Sequence, residues 1–301
     1  MLTLVRAPRP GASESEAKTT RRLSSLACLL LGCAFAVPAA SPGGGGYFHY
    51  GETRLDVKHG YAARSENARG EMSTLVILTS DPIDVHKVAD AFDPGFAVSG
   101  QMDSNKPGGY VRICVAADGS ECGLYYSHDQ PSSSLNLSGS GEFKLDLRND
   151  RQIKGHWSQK EPSDFFGKAI DFDLVFDTPL TAPAPGTRLP ADGGEPGTAL
   201  KAYFDALAKG DVPALHRLLG EDARWQLPAD DQDRAKEGLK DLRDGKPVSP
   251  KIVSGVQRGD QAVLRIEGVD RDDIKRVGRV LMVKEGGTWR LGRTDLVSAT
   301  D

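Results

Sequence analysis

The stretch 179–197, PLTAPAPGTRLPADGGEPG, constrains this chain more than any other. Five of its nineteen residues are proline and four are glycine. Proline removes a backbone donor and fixes φ, and glycine raises the entropic cost of ordering the chain. No regular element is expected through it, and it reads as an extended spacer. It separates a segment rich in β-type runs, 47–178, from a segment of mixed helical and strand periodicity, 198–301. A chain of 301 residues is long enough for two ordinary domains with real cores. With several prolines the spacer is semi-stiff, so the two domains need not share a large interface. Were they to pack tightly, a site between them would be the better location.

Charge divides at the same place. Residues 47–178 carry 13 Lys+Arg against 20 Asp+Glu, while residues 198–301 carry 19 against 18. The acidic first part argues against nucleic acid and anionic membrane surfaces as partners. The second part mixes its signs closely and has no basic stripe. At 39% hydrophobic and 27% charged, the composition is that of a globular protein.

Ahead of both parts, residues 1–40 read as a secretory signal with an extended basic region. Arg21-Arg22 precede the apolar run 26–37 (LACLLLGCAFAV), which ends in Pro38-Ala39-Ala40. The run is too short for a comfortable membrane span. Cleavage near Ala39 or Ala40 is expected. A competing reading is that Leu30-Leu31-Gly32-Cys33 resembles a bacterial lipobox, with Cys33 lipidated. Residues 41–46 (SPGGGG) then form a flexible tether. Either way the protein is expected outside the cytoplasm, periplasmic or secreted, or anchored in the outer membrane as a lipoprotein. Cys114 and Cys122 flank the turn Asp118-Gly119, and an oxidising compartment would join them in a disulfide. Their spacing lacks the further ligands that a metal site needs.

In 47–178 short runs alternate apolar and polar residues with turn residues between them. Phe143, Leu145 and Leu147 share one face, and so do Ile170, Phe172, Leu174 and Phe176, as a sheet packed on a core requires. A β-sandwich or flattened barrel is expected. One helix, entered at Asp81-Pro82, interrupts it, and Phe96–Met102 reads as a strand. The runs VKHGYA (57–62), LTSDPI (78–83) and FDLVF (172–176) resemble a module of exported bacterial proteins, and that resemblance implies no activity. His49, His59, His128 and His156 carry no ligand pattern, and the sequon Asn136-Leu137-Ser138 reads as coincidence in such a protein.

In 198–301 the pattern is sharper. Thr198 is placed to cap a helix with Leu200, Tyr203, Phe204 and Leu207 on one face. Asp211 caps a second helix, DARWQL (222–227) reads as a short strand, and Asp230–Asp244 as a third helix. Strands over 251–257, 261–268, 277–285 and 288–297 close the domain, with Gly286-Gly287 as a tight hairpin. This order, with ALKAYFDALAKGDVPALHRLLGEDARW at the start and GGTWRLGRTDL at the end, resembles the nuclear transport factor 2-like (NTF2-like) superfamily. That resemblance implies an α+β cone whose curved sheet wraps a pocket lined by Tyr203, Leu207, Trp225, Met282 and Trp289. The alternative is that all five are core. The superfamily includes enzymes, ligand binders and dimerisation modules. An isomerase would need a tuned acid in the pocket, and Asp295 is the candidate to watch.

The whole reads as an all-β sandwich followed by an NTF2-like α+β cone. The expected function is non-catalytic binding of a small apolar ligand or a partner protein, with no cofactor. An NTF2-like isomerase or hydrolase, and a protein-interaction, envelope-assembly or inhibitor module, are the alternatives. A homodimer is compatible with either binding reading.

Overall fold

The computed structural model describes residues 43–228 and 231–300. Residues 1–40, expected as a leader and including Cys28 and Cys33, lie outside the described residues. Four strands open the chain: β1 (Gly44–Tyr50), β2 (Thr53–Val57), β3 (His59–Glu66) and β4 (Met72–Thr79). Helices α1 (Val85–Asp90) and α2 (Pro94–Ser99) follow. Six strands complete the first half: β5 (Gly109–Val115), β6 (Glu121–His128), β7 (Ser133–Leu137), β8 (Glu142–Arg148), β9 (Gln152–Phe165) and β10 (Lys168–Thr181).

These strands lie in two layers. One runs β2–β1–β10–β9–β8 and the other β3–β4–β5–β6–β7. The end of β10 joins them, because Leu180 and Thr181 pair in parallel with Ala62 and Ala63 of β3. The core fills the space between. Phe48 of the first layer stacks on Tyr126 of the second, with ring centroids 4.5 Å apart. Ile170, Phe172, Leu174 and Phe176 all point into it, as their alternation requires. Phe143 and Leu145 pack on the same core, but Leu147 is exposed. A register shift between Leu145 and Leu147 explains the difference, since one extra residue turns the next side chain to the other face.

Two local expectations are overturned here. The helix cap is Asp84, whose carboxylate accepts from the N–H groups of His86 and Lys87, rather than Asp81. Residues 94–99 are helical rather than a strand, because Asp93 caps Phe96 N–H and Pro94 fits the first turn. Val88 and Val98 from these helices cover Ile77 and Tyr110, so β4 is buried on both faces.

Nor is the glycine run a tether. Gly44, Gly45 and Gly46 are in β1, opposite Phe176, Val175 and Leu174 of β10. At Gly44 and Gly46 a side chain would be in the way of close approach. A Cβ on Gly60 would strike the Gly43 backbone, and one on Gly46, which has φ +107°, would strike the Asp173 carbonyl. Cys114 of β5 and Cys122 of β6 form a disulfide with their Cα atoms 5.0 Å apart.

The proline-rich stretch is built into both halves rather than running free. Its first residues finish β10, and Thr187–Arg188 form β11, pairing with Gln257 and Val256. Leu189 N–H donates to the Gly255 carbonyl at 2.9 Å. In β11 the paired residues, Thr187 and Arg188, keep a backbone donor, while Pro183, Pro185 and Pro190 fall outside the ladder.

Beyond it come α3 (Gly194–Lys209), α4 (Val212–Leu218), a 3₁₀ turn (Glu221–Gln226) and α5 (Gln232–Arg243). α3 starts at Gly194, before Thr198, because Gly193 in the left-handed region turns the chain and Pro196 is tolerated in the first turn. Thr198 is inside the helix, with its hydroxyl donating to the Gly194 carbonyl. The expected strand at 222–227 is the 3₁₀ turn. Four antiparallel strands follow: β12 (Lys251–Arg258), β13 (Gln261–Val269), β14 (Lys275–Glu285) and β15 (Thr288–Ser298). The sheet order is β11–β12–β13–β14–β15. Helices α3 to α5 pack on one face, and Ala262, Leu264, Ile266, Val280 and Met282 meet them there. The structure is therefore β-rich, with two large sheet systems and helices confined to their faces. Among the described residues no helix is long and apolar enough to cross a membrane.

Candidate functional site

Alternation along the second sheet decides where a site can be. On β13, Ala262, Leu264 and Ile266 face the helices, so Val263 and Arg265 face the other way. On β14, Val280 and Met282 face the helices, and Arg279 and Leu281 do not. This second face meets the first half, at the end of β3 with its following loop and at the junction of α1 and α2.

Polar contacts pin the two halves together. Arg265 pairs with Glu66, and Arg293 Nη1 lies 2.6 Å from Asp93 Oδ2. Phe92 N–H donates to Gln261 Oε1 at 3.5 Å, and Ala184 N–H to Asp90 Oδ1 at 2.6 Å. Arg258 of β12 lies over the Phe92 ring, 4.4 Å from its centroid.

Between these contacts the halves do not close. Two adjoining cavities of about 240 Å3 each remain. Both are lined by Ser65, Glu66, Phe92, Val263 and Arg279. Arg64, Arg258 and Arg265 extend the wall of one; Asp93, Arg293 and Asp295 extend the wall of the other. Five guanidinium groups thus face three carboxylates, those of Glu66, Asp93 and Asp295. Arg64 is matched from outside the cleft by Asp150 at 2.9 Å.

The cationic groups are unequally satisfied. Arg279 Nη2 reaches Asp295 at 3.3 Å, but its Nε is buried without an acceptor. Among the described residues Arg258 has no carboxylate partner. Its Nη1 makes one long bond to the Asp90 carbonyl, 3.4 Å, and its Nε too is buried without an acceptor. Burial pushes the Arg258 pKa down from its ordinary value, against the pull of the Asp90 and Glu66 carboxylates. Guanidinium groups held this way are short of acceptors rather than of charge.

The side chains expected around an NTF2-like pocket are elsewhere. Tyr203, Leu207, Met282 and Trp289 are all in the helix-side core, packed on one another and on their neighbours. Burial raises the Tyr203 pKa, and its hydroxyl has no partner. Trp289 Nε1 donates to Glu195 at 3.3 Å. Trp225 is 73% exposed on the 3₁₀ turn, away from that core, because the turn does not present its side chain as a strand would.

Asp295 lies in the cleft. Strict alternation from Trp289 and Leu291 would have put it on the helix side. A register shift in the β14–β15 pair leaves Gly292 as the extra residue, and beyond it Leu296 packs on the helix-side core while Arg293 and Asp295 face the cleft. Two of the histidines pair with carboxylates, His49 with Asp171 at 2.7 Å and His156 with Asp173 at 2.9 Å, both partly exposed on the first half, and His128 Nδ1 lies 3.2 Å from the Pro131 carbonyl.

Sequence pattern raises a site between the halves only as the alternative to loose packing and does not single out its arginines, although one signal is present. Val263 and Leu281 put apolar side chains on the same face as Arg265 and Arg279, where a wholly solvated face would carry polar ones.

Fold and site together define a β-rich protein whose two sheet systems enclose an arginine-lined cleft. Protein-family models, curated proteins and solved structures were each compared with the chain, and none matches.

Proposed function

We propose that this is an exported, non-catalytic binding protein whose ligand seat is the cleft between its two halves. The carrying observation is the pair of adjoining cavities of about 240 Å3, bounded by both halves and lined by partly unsatisfied guanidinium groups. Export is supported by the basic and apolar leader and by the Cys114–Cys122 disulfide, which suits an oxidising compartment. In this reading the second half is an NTF2-like cone, supported by its order of helices and strands, but its helix-side concavity is filled by its own core. The isomerase or hydrolase alternative is less favoured in this reading, because Tyr203, Leu207, Met282 and Trp289 are buried in the helix-side core. The interaction-module alternative is less favoured in this reading, because the first half lies against part of the sheet face through which it would pair.

A small-molecule panel read by thermal shift tests the proposal on wild type and on Val263→Trp, which fills the floor shared by both cavities. A ligand at one hundred times its Kd adds about 2.7 kcal/mol of stability. Compounds that stabilise wild type are expected to lose their effect in the variant. Hits that stabilise both proteins equally would put the seat elsewhere.

A further inference from the structure

Resting on that reading of the cleft, we infer that its ligand is a small organic acid: an anionic head taken by Arg258 and Arg279 and an apolar body laid on Phe92 and Val263.

The four residues line one cavity. Arg258 rises from the end of β12 and Arg279 from β14, with Val263 of β13 between those strands. Phe92 comes from the first half and already carries the Arg258 guanidinium against its ring. Of the five cleft arginines, three are matched within the protein: Arg265 by Glu66, Arg293 by Asp93 and Arg64 by Asp150. These pairs hold the halves together and leave little for a ligand. The other two are different. Arg279 shares only one nitrogen with Asp295, and Arg258 meets only a distant carbonyl. Each keeps a buried Nε with no acceptor. A buried donor is costly until an acceptor arrives, and a carboxylate offers several lone pairs in the plane that a guanidinium prefers. A neutral oxygen could accept such a bond, but it would leave the Arg258 charge without a counter-ion, which a carboxylate supplies.

The apolar part of the inference has its own support. Val263 is buried although it lies on the face away from the helix-side core, and Phe92 adds an aromatic wall. A bare inorganic anion would use neither. The space, about 240 Å3 per cavity, suits a ligand of roughly one ring with its acidic group.

Isothermal titration of the full exported chain tests this with three probes: benzoate, benzyl alcohol and inorganic phosphate. Benzoate is expected to bind, benzyl alcohol and phosphate to bind at least about tenfold more weakly. Arg258→Ala and Arg279→Ala are each expected to weaken benzoate at least about tenfold, and Arg258→Lys, which keeps the charge but not the planar fork, to weaken it less than Arg258→Ala. Circular dichroism identifies any variant that fails to fold, and the lysine variant then carries the test. Benzyl alcohol binding as well as benzoate, phosphate binding as well as benzoate, or benzoate binding unchanged in the arginine variants would overturn the inference. Failure of benzoate with survival of other, uncharged ligands that Val263→Trp abolishes would sink the acid and keep the cleft. Ligands indifferent to Val263→Trp would sink both.

Discussion

At the scale of single residues, Asp270 shows how this chain handles a buried charge. Its side chain is 2% exposed, and burial alone would raise its pKa. Arg276 Nε at 2.7 Å and the N–H groups of Asp272 and Ile274, each at 2.9 Å, outweigh that and hold the carboxyl below its ordinary value. A carboxyl whose pKa is lower folded than unfolded contributes stability that is complete above the unfolded pKa. That contribution is lost as pH falls through the folded pKa. Asp270→Asn is therefore expected to melt below wild type at neutral pH, with the gap narrowing once pH drops below about 4. Melting curves across that range check it, and a gap independent of pH would contradict the assignment. Arg258 is the counter-example in the same half: a half-buried charge that is not ion-paired among the described residues and whose one hydrogen bond is the long one to the Asp90 carbonyl.

At the scale of elements, β1 shows what sequence pattern conveys and what it does not. The alternation of 170–176 located the central strand of the first half, and Gly286-Gly287 located the last hairpin, because a period of two and a left-handed turn are written in adjacent residues. A run of glycines is ambiguous. It gives freedom in a tether and close approach in a sheet, and only the partner strand decides. Gly46→Ala is expected to cost about 1–3 kcal/mol, since it requires φ +107° and meets the Asp173 backbone. Gly45→Ala, with nothing within 4 Å of its Cβ, is expected to stay within about 1 kcal/mol of wild type. Urea melts of both variants decide between strand and tether, and equal small effects would favour the tether. Register shifts account for two further departures. The one near Leu147 and the extra residue at Gly292 each invert every side chain beyond them, and a pattern counted along one strand cannot see where its neighbour slips. That slip is why Asp295 belongs to the cleft.

At the scale of the molecule, the proline-rich stretch changes its meaning. Composition marks it as a boundary, and a separate hydrophobic core lies on each side of it. Yet it is stitched to β3 at one end and to β12 at the other, and the halves it joins are held by ion pairs across a cleft. The account stands on that cleft being the place where a ligand binds. Hydrogen–deuterium exchange with and without a stabilising ligand tests this most directly. Slowed exchange is predicted together on both walls, at 89–94 of the first half and 255–265 of the second, with no change around Tyr203 and Trp289. Protection confined to one half, or centred on the helix side of the second sheet, would contradict it.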